Sequence, residues 1–311
     1  MFRILGKTNI DFIGMRKYSF VLSSIFILLG LVALISIFLG KAEMGIDFTG
    51  GTMVQGNFES AIEISDLRAA LGTGGFPEAS IQELTTEGVS NSFLIRVKTD
   101  QGDASAGSVE TVGRITGIIA EAFPGNAFNK DSEHSIGPAV GETLRNQAKW
   151  AVILAVLGIL IYIWLRFDFR FGIAATIATF HDVLTVLGIF WLLRIEIDLL
   201  VITALLTLAG YSLTDSVVVF DRIRENLKLF RKKGDFVTSI NASINEVLSR
   251  TIITSLTVLF VILTLLFFGG QVLFTFSLAL ALGVAVGTFS SVFVASPIIV
   301  EWESRSPKRF K

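Results

Sequence analysis

A chain of 311 residues that is 52% hydrophobic, has a mean hydropathy of +0.68 and carries only 17% charged residues belongs to the integral-membrane class. A formal net charge of −1 gives no footing for a nucleic-acid partner. With no cysteine, a disulfide, a thiolate nucleophile, an iron–sulfur cluster and a cysteine zinc site are excluded, and two histidines far apart, His134 and His181, point away from a metal site.

Residues 1–17 form a short basic arm with Arg3, Lys7, Arg16 and Lys17. Tyr18 to Leu39 is then free of charge for 22 residues. At 1.5 Å per residue that is about 33 Å of helix, enough to cross a bilayer. It is too long for a signal-peptide core and no small-x-small cleavage site follows, so it reads as a first transmembrane helix.

Residues 41–147 are the one long polar stretch. Between residues 41 and 145 there are 15 acidic and 7 basic residues, a net of −8. GIDFTGGTMVQGNF reads as a strand with a tight backbone approach or bulge around Thr49, Gly50, Gly51 and Thr52. Ser65 is the expected N-cap of a helix over DLRAAL that Gly72 stops. Strands are predicted at 79–84 and 92–98, a helix at 109–123 ended by Pro124-Gly125, and a last strand near 127–136. The order β-α-β-β-α-β points to a ferredoxin-like α+β domain of about 100 residues.

Five more apolar spans follow, at 149–165, 171–193, 197–220, 251–268 and 272–300, which makes six. The four tryptophans, Trp150, Trp164, Trp191 and Trp302, sit at span ends, where an aromatic belt places them. Between the fourth and fifth spans, apolar positions 236, 237, 240, 244, 247 and 248 form a helical stripe, expected as a short amphipathic helix on the cytoplasmic face leading into the fifth span. The domain plan is thus 1–40 arm and first helix, 41–147 polar domain, 148–304 helices two to six, and 305–311 tail. Lys and Arg gather in the arm, in RFDFR, in the loop from Arg222 to Arg250 and in the tail. With six spans these segments share one side, the cytoplasm, with both termini, and the acidic domain lies outside it.

Three ionisable residues fall inside the apolar spans: His181, Asp182 and Asp215. A carboxylate in hydrocarbon is a functional candidate by default. Asp215 lies roughly 9 Å of helix rise before the charged group at Asp221 and Arg222, so it sits toward the cytoplasmic half. Arg250, at the edge of the fifth span, either snorkels to the surface or turns inward to Asp215. Inward pairing keeps the carboxylate charged, and its loss favours protonation. The alternative is a polar clasp that joins helices and moves nothing. His181 and Asp182 are adjacent and are expected on different faces, one toward the bundle and one toward the headgroups. With Asp221 and Arg222 they make a candidate secondary polar network. In the last span Ala279, Gly283, Gly287, Ser291 and Ala295 recur at every fourth position, a packing face for another helix of the bundle or for a partner subunit. No phosphate loop, H-E-x-x-H or G-x-S-x-G is present, and no catalytic constellation supports an enzyme.

DFTGGT (Asp47, Phe48, Thr49, Gly50, Gly51 and Thr52) directly after a first transmembrane helix resembles the signature of the bacterial SecD/SecF export proteins. GYSLTDSVVVFDRIREN in the fourth span resembles the SecF branch, as do IGPAVGETL before the second span, HDV in the third and LSRTIITSLT entering the fifth. The resemblance implies a fold like half of an RND transporter and a SecD partner supplying the other six helices. It implies a bacterial inner-membrane protein that assists the SecYEG translocon late in preprotein export, drawing on the proton gradient. It places the family's intramembrane aspartate on Asp215 and its fifth-span arginine on Arg250. Expected contacts are SecD, SecYEG, unfolded preprotein and membrane lipid, with a coupling ion, H+, in place of a cofactor. An RND-like small-molecule exporter and a non-pumping scaffold of the translocon are the rival readings.

Overall fold

The chain divides into two units, residues 44–150 and the remainder. A computed structural model describes residues 8–86, 89–98, 108–229 and 236–306.

Within the smaller unit a short helical turn α2 (Ile46–Thr49) leads into β1 (Gly51–Phe58), followed by α3 (Ile64–Thr73), β2 (Ser80–Thr86), β3 (Val89–Val97), α4 (Ser108–Ala122) and β4 (Phe128–Ile136). The sheet order is β2-β3-β1-β4 and each pairing is antiparallel, the ferredoxin-like arrangement expected from the element order. Val54, Phe58, Phe93, Ile95 and Val97 from the sheet meet Leu67 and Leu71 of α3 and Ile115 and Ile119 of α4 in one apolar core. β4 is an edge strand, and its mostly exposed sequence FNKDSEHSI is charged, which blunts edge-to-edge pairing.

Two local expectations change. Ile46–Thr49 is helical rather than extended, and the strand starts only at Gly51. The reason is the glycine pair. Gly50 has φ +73° and Gly51 has φ +149°, so the chain turns there instead of running straight. A Cβ on Gly51 would lie 2.5 Å from the Val97 carbonyl, and one on Gly141 would lie 2.9 Å from the Gly50 nitrogen. The DFTGGT signature is therefore a close-packed turn. Ser65 does not cap α3: the N-cap is Glu63, no side chain bonds there, and Gly74 rather than Gly72 closes the helix.

The other unit holds α1 (Arg16–Phe38), α6 (Phe169–Leu192), α7 (Leu199–Leu229), α8 (Phe236–Phe268), α9 (Gly270–Ser290) and α10 (Ser296–Arg305), with α5 (Pro138–Arg166) crossing the division at residue 150. Six spans among the described residues are long and apolar enough to cross a membrane, α9 and α10 counting as one. α6 and α7 are the most enclosed, at 61% and 50% of their apolar windows, against 6% for α5. The bundle centre is thus α6 and α7. α5 starts at Pro138, well before the apolar run, because a proline at the first helical position is tolerated and nothing after it breaks the helix. Likewise the amphipathic stripe and the fifth span form one helix, α8, not two. No Gly or Pro separates them.

The stripe on α8 buries Ile240, Ile244 and Leu248, and the neighbouring face holds the N-terminal arm. Asn241 Oδ1 accepts from the Phe12 nitrogen (2.9 Å) and its Nδ2 donates to the Ile10 carbonyl (3.0 Å). Asn245 Oδ1 accepts from the Ile10 nitrogen at 2.9 Å. Asn241→Ala leaves those backbone groups to seek water, at about 1–3 kcal/mol. The expected result is faster protease cutting near residues 10–13 in the intact protein, with the core spans still protected.

α9 runs into α10 through a π turn, Ser291–Ala295. Pro297 has no N–H for the Phe293 carbonyl. Ser19 Oγ of α1 donates to that carbonyl instead, at 2.9 Å. The widened turn thus has a proline as its cause and a serine on α1 as its partner.

Candidate functional site

The small-residue stripe of α9 packs inside the chain. A Cβ on Gly283 would lie 2.6 Å from Leu208 Cδ1, and one on Gly287 would lie 3.2 Å from Ser212 Cβ. Ala279, Ser291 and Ala295 are fully buried. This face draws α9 against α7. It brings the hydroxyls of both helices to two carboxylates.

Asp182 on α6 is completely buried and His181 is 1% exposed. His181 Nδ1 lies 2.8 Å from Asp182 Oδ1, and Ser290 Oγ of α9 donates to Asp182 Oδ2 at 2.7 Å. Ser212 Oγ of α7 donates to the same oxygen. The expectation that one of the adjacent pair faces the headgroups is corrected. Both are inside the bundle, because the imidazole ring is long enough to swing back to its neighbour's carboxylate.

Asp215 lies one turn after Ser212 on α7 and is 6% exposed. Ser255 Oγ of α8 donates to its Oδ2 at 3.3 Å. Tyr211 Oη donates to Ser255 at 3.4 Å, and Thr288 Oγ1 of α9 is 2.7 Å from the same hydroxyl. Two carboxylates from two helices therefore sit in a core whose printed partners are hydroxyls and one imidazole. No Lys or Arg pairs with either one among the described residues. Such a core can hold or release a proton with little rearrangement.

Arg250 is exposed, and in this structure it does not meet Asp215; its carbonyl accepts from Thr254. Asp221 and Arg222 do not join the buried cluster either. Asp221 pairs with Arg166 at the end of α5. Arg222 bridges Glu225 (2.6 Å) and Glu246 (2.5 Å), and Asn226 donates to Glu246 at 2.9 Å. These ion pairs lie outside the buried cluster, within α7 and between α7 and its neighbours α5 and α8. Asp47, Phe48, Thr49, Gly50 and Gly51 belong to the close-packed turn in the smaller unit. Ser212, Ser255, Thr288 and Ser290 were not singled out from the sequence. The available signal was their recurrence as hydroxyls among apolar residues on helices that also carry a carboxylate or a small-residue face.

A family model described as protein export membrane protein SecD/SecF, C-terminal, matches residues 118–305. The protein translocase subunit SecF of Thermodesulfovibrio yellowstonii is 48% identical over 305 residues, covering 96% of this chain and 97% of that protein. The subunit of the same description from Pseudomonas aeruginosa is 36% identical over 292 residues, covering 94% and 91%. Among solved structures, SecDF of Thermus thermophilus, a translocon-associated membrane protein, is similar with a TM-score of 0.80 and 38% identity. That match covers 96% of this chain and 39% of the solved one, so this chain spans well under half of that protein. The six-span bundle with its ferredoxin-like domain and these matches over nearly the whole length place the chain in the SecD/SecF family of protein export membrane proteins, as a multi-pass SecF translocase subunit.

Proposed function

We propose that this chain pairs with a SecD protein, that the pair uses the proton motive force to assist late export of preproteins through the SecYEG translocon, and that Asp215 carries the coupling proton. The observation that carries this reading is the pair of buried carboxylates, Asp182 and Asp215, held by hydroxyls where four helices meet. A structural clasp needs hydrogen bonds but not charge. Two carboxylates without a basic partner make protonation state the cheapest variable in the bundle.

In the proposed cycle the unprotonated Asp215 draws Arg250 inward, and protonation releases it to the exposed position it occupies here. The bundle then alternates between two packings, and the ferredoxin-like domain follows through α1 and α5. The distribution of Lys and Arg supports cytoplasmic termini and an extracytoplasmic domain in the bacterial inner membrane. A fold like half of an RND transporter supports a second six-span protein as partner, and lipid contacts cover the exposed faces of α1 and α5. A small-molecule exporter is disfavoured by the size of the polar unit, residues 44–150. The non-pumping scaffold stays as the second reading, because every polar contact described also joins helices.

The test is preprotein export into translocon-bearing vesicles, with and without this chain and its partner. The proposal expects an export increment that needs the chain and disappears when a protonophore collapses the gradient. An increment indifferent to the protonophore leaves the scaffold.

A further inference from the structure

The buried cluster has a loose end. His181 Nε2 is buried and has no hydrogen-bond partner. When Asp182 is ionised its Oδ1 accepts from the Nδ1–H, and Nε2 of the neutral ring is then an acceptor without a donor. A second orphan sits on α1: Ser23 Oγ, in a residue 3% exposed, also has no partner. Helical serines commonly donate to the carbonyl one turn back, as Ser24 does to Phe20. Ser23 does not.

The register of α1 and α6 sets the two orphans near one level. The C-terminal ends of these helices are together: residues 41–43 and 191–197 line one pocket, and the Ile197 nitrogen donates to the Glu43 carbonyl at 2.8 Å. The two helices therefore run parallel. They touch at glycines, where a Cβ on Gly188 would lie 2.7 Å from the Gly30 nitrogen. Ser23 precedes Gly30, and His181 precedes Gly188, by the same seven positions, about two turns on each helix. Parallel helices joined at Gly30–Gly188 thus bring Ser23 and His181 to one level of the same seam.

We infer that Ser23 and His181 bracket a water site between α1 and α6, and that the His181–Asp182 pair exchanges protons with that water, as a second proton-holding station beside Asp215. Buried waters occupy polar gaps of this kind, where a donor and an acceptor lack each other. A proton arriving from water bonds to Nε2, the ring becomes cationic, and its Nδ1–H stays on Asp182. The pair changes from net −1 to neutral, and the same proton leaves by the same nitrogen. Few other charges bear on it. α1 has no titratable side chain from Ser19 to Phe38, α8 has none from Thr251 to Phe268, and α9 and the π turn have none. α7 contributes Tyr211 and Asp215, with Asp221, Arg222, Arg224, Glu225 and Lys228 nearer its end, and α10 carries Glu301, Arg305 and Glu303, the last paired with Arg170 at the start of α6. Asp215 is the charge that the station senses. Ser212, which donates to Asp182 one turn before Asp215 on α7, is the mechanical link between the two stations.

This inference deepens the proton-coupled reading and depends on it only for its purpose, so its test is spectroscopic. The chain has two histidines, so isotope-labelled histidine in the full chain in lipid nanodiscs gives two sets of ring signals, which His181→Gln assigns. The His181 Nε2 signal is expected to show proton exchange with water. Ser23→Ala, which removes a hydroxyl and should fold normally, is expected to abolish the water exchange. A His181 ring that shows no exchange with water overturns the inference, even if export proves gradient-dependent. In export vesicles His181→Gln is expected to shift the pH profile of the gradient-dependent increment; a uniform loss at every pH marks a structural role and overturns the station. If export ignores the gradient while His181 exchanges with water as described, the coupling reading fails and the water-linked pair stands.

Discussion

Asp215→Asn is expected to abolish the gradient-dependent increment of preprotein export while leaving assembly with the partner intact. Asparagine has the same shape as aspartic acid, and its Oδ1 accepts the Ser255 hydroxyl as the carboxylate does now, at 3.3 Å. Packing at this 6% exposed position is kept, and what is lost is the capacity to bind and release a proton. The size of the loss follows from the driving force. One charge moved through 100 mV is worth about 2.3 kcal/mol. That biases a two-state equilibrium by about fifty-fold at 1.36 kcal/mol per tenfold. An uncoupled bundle forfeits all of it, so export should fall to the level seen with a collapsed gradient. Asp215→Glu keeps the proton and adds one methylene to a packed site, and should retain part of the increment. Unchanged export by Asp215→Asn, with a normal partner complex in mild detergent, would sink the pump and favour the scaffold.

Asp215 stands out in the sequence as a carboxylate in an apolar run, and the structure buries it between helices. Its surroundings do not stand out. Serine and threonine are common in membrane helices, and most of those here donate back to their own helix, as Thr176, Thr203 and Thr264 do. Which hydroxyls reach across is decided by helix rotation. In this bundle that rotation is fixed by Gly283 against Leu208 and by Gly287 against Ser212, contacts made between helices far apart in sequence. The small-residue stripe is readable as a packing face but its partner helix is not. His181 and Asp182 show a different limit. Adjacent residues do leave a helix in different directions, yet both pointed inward, because α6 is enclosed on more sides than one face. The six spans and the ferredoxin-like order were legible from hydropathy and turn residues. The short helix at Ile46–Thr49 was not, since IDF reads as extended and only the turn at Gly50-Gly51 forbids it.

Gly188→Leu is expected to produce a large stability loss in the bundle. At this crossing each glycine faces main chain. A Cβ on Gly30 would lie 2.3 Å from the Leu184 carbonyl oxygen, and one on Gly188 would lie 2.9 Å from the Leu29 carbonyl carbon. A side-chain tip can rotate away from an intruding methyl group, but a helix backbone cannot, so α1 and α6 must separate along their length. Overpacking a core that can relax costs about 1–3 kcal/mol. Here relaxation is blocked, and the cost should reach or exceed the upper end, about a hundredfold in the folding equilibrium. Lipid offers no compensating hydrophobic gain, because helix association in a membrane rests on the same close packing that the leucine removes. The fully buried positions of α1 are Ser19, Ser23, Gly30 and Ala33, and its large side chains are at most half-buried. Unfolding in mixed micelles, followed by the fluorescence of the four tryptophans, measures this directly. Gly158→Ala is the matched control. Nothing lies within 4 Å of a Cβ built there, and its midpoint should stay within about 0.5 kcal/mol of wild type. If Gly188→Leu unfolds at the wild-type midpoint, the glycine crossing does not hold α1 to α6, and the level placement of Ser23 and His181 loses its anchor with it.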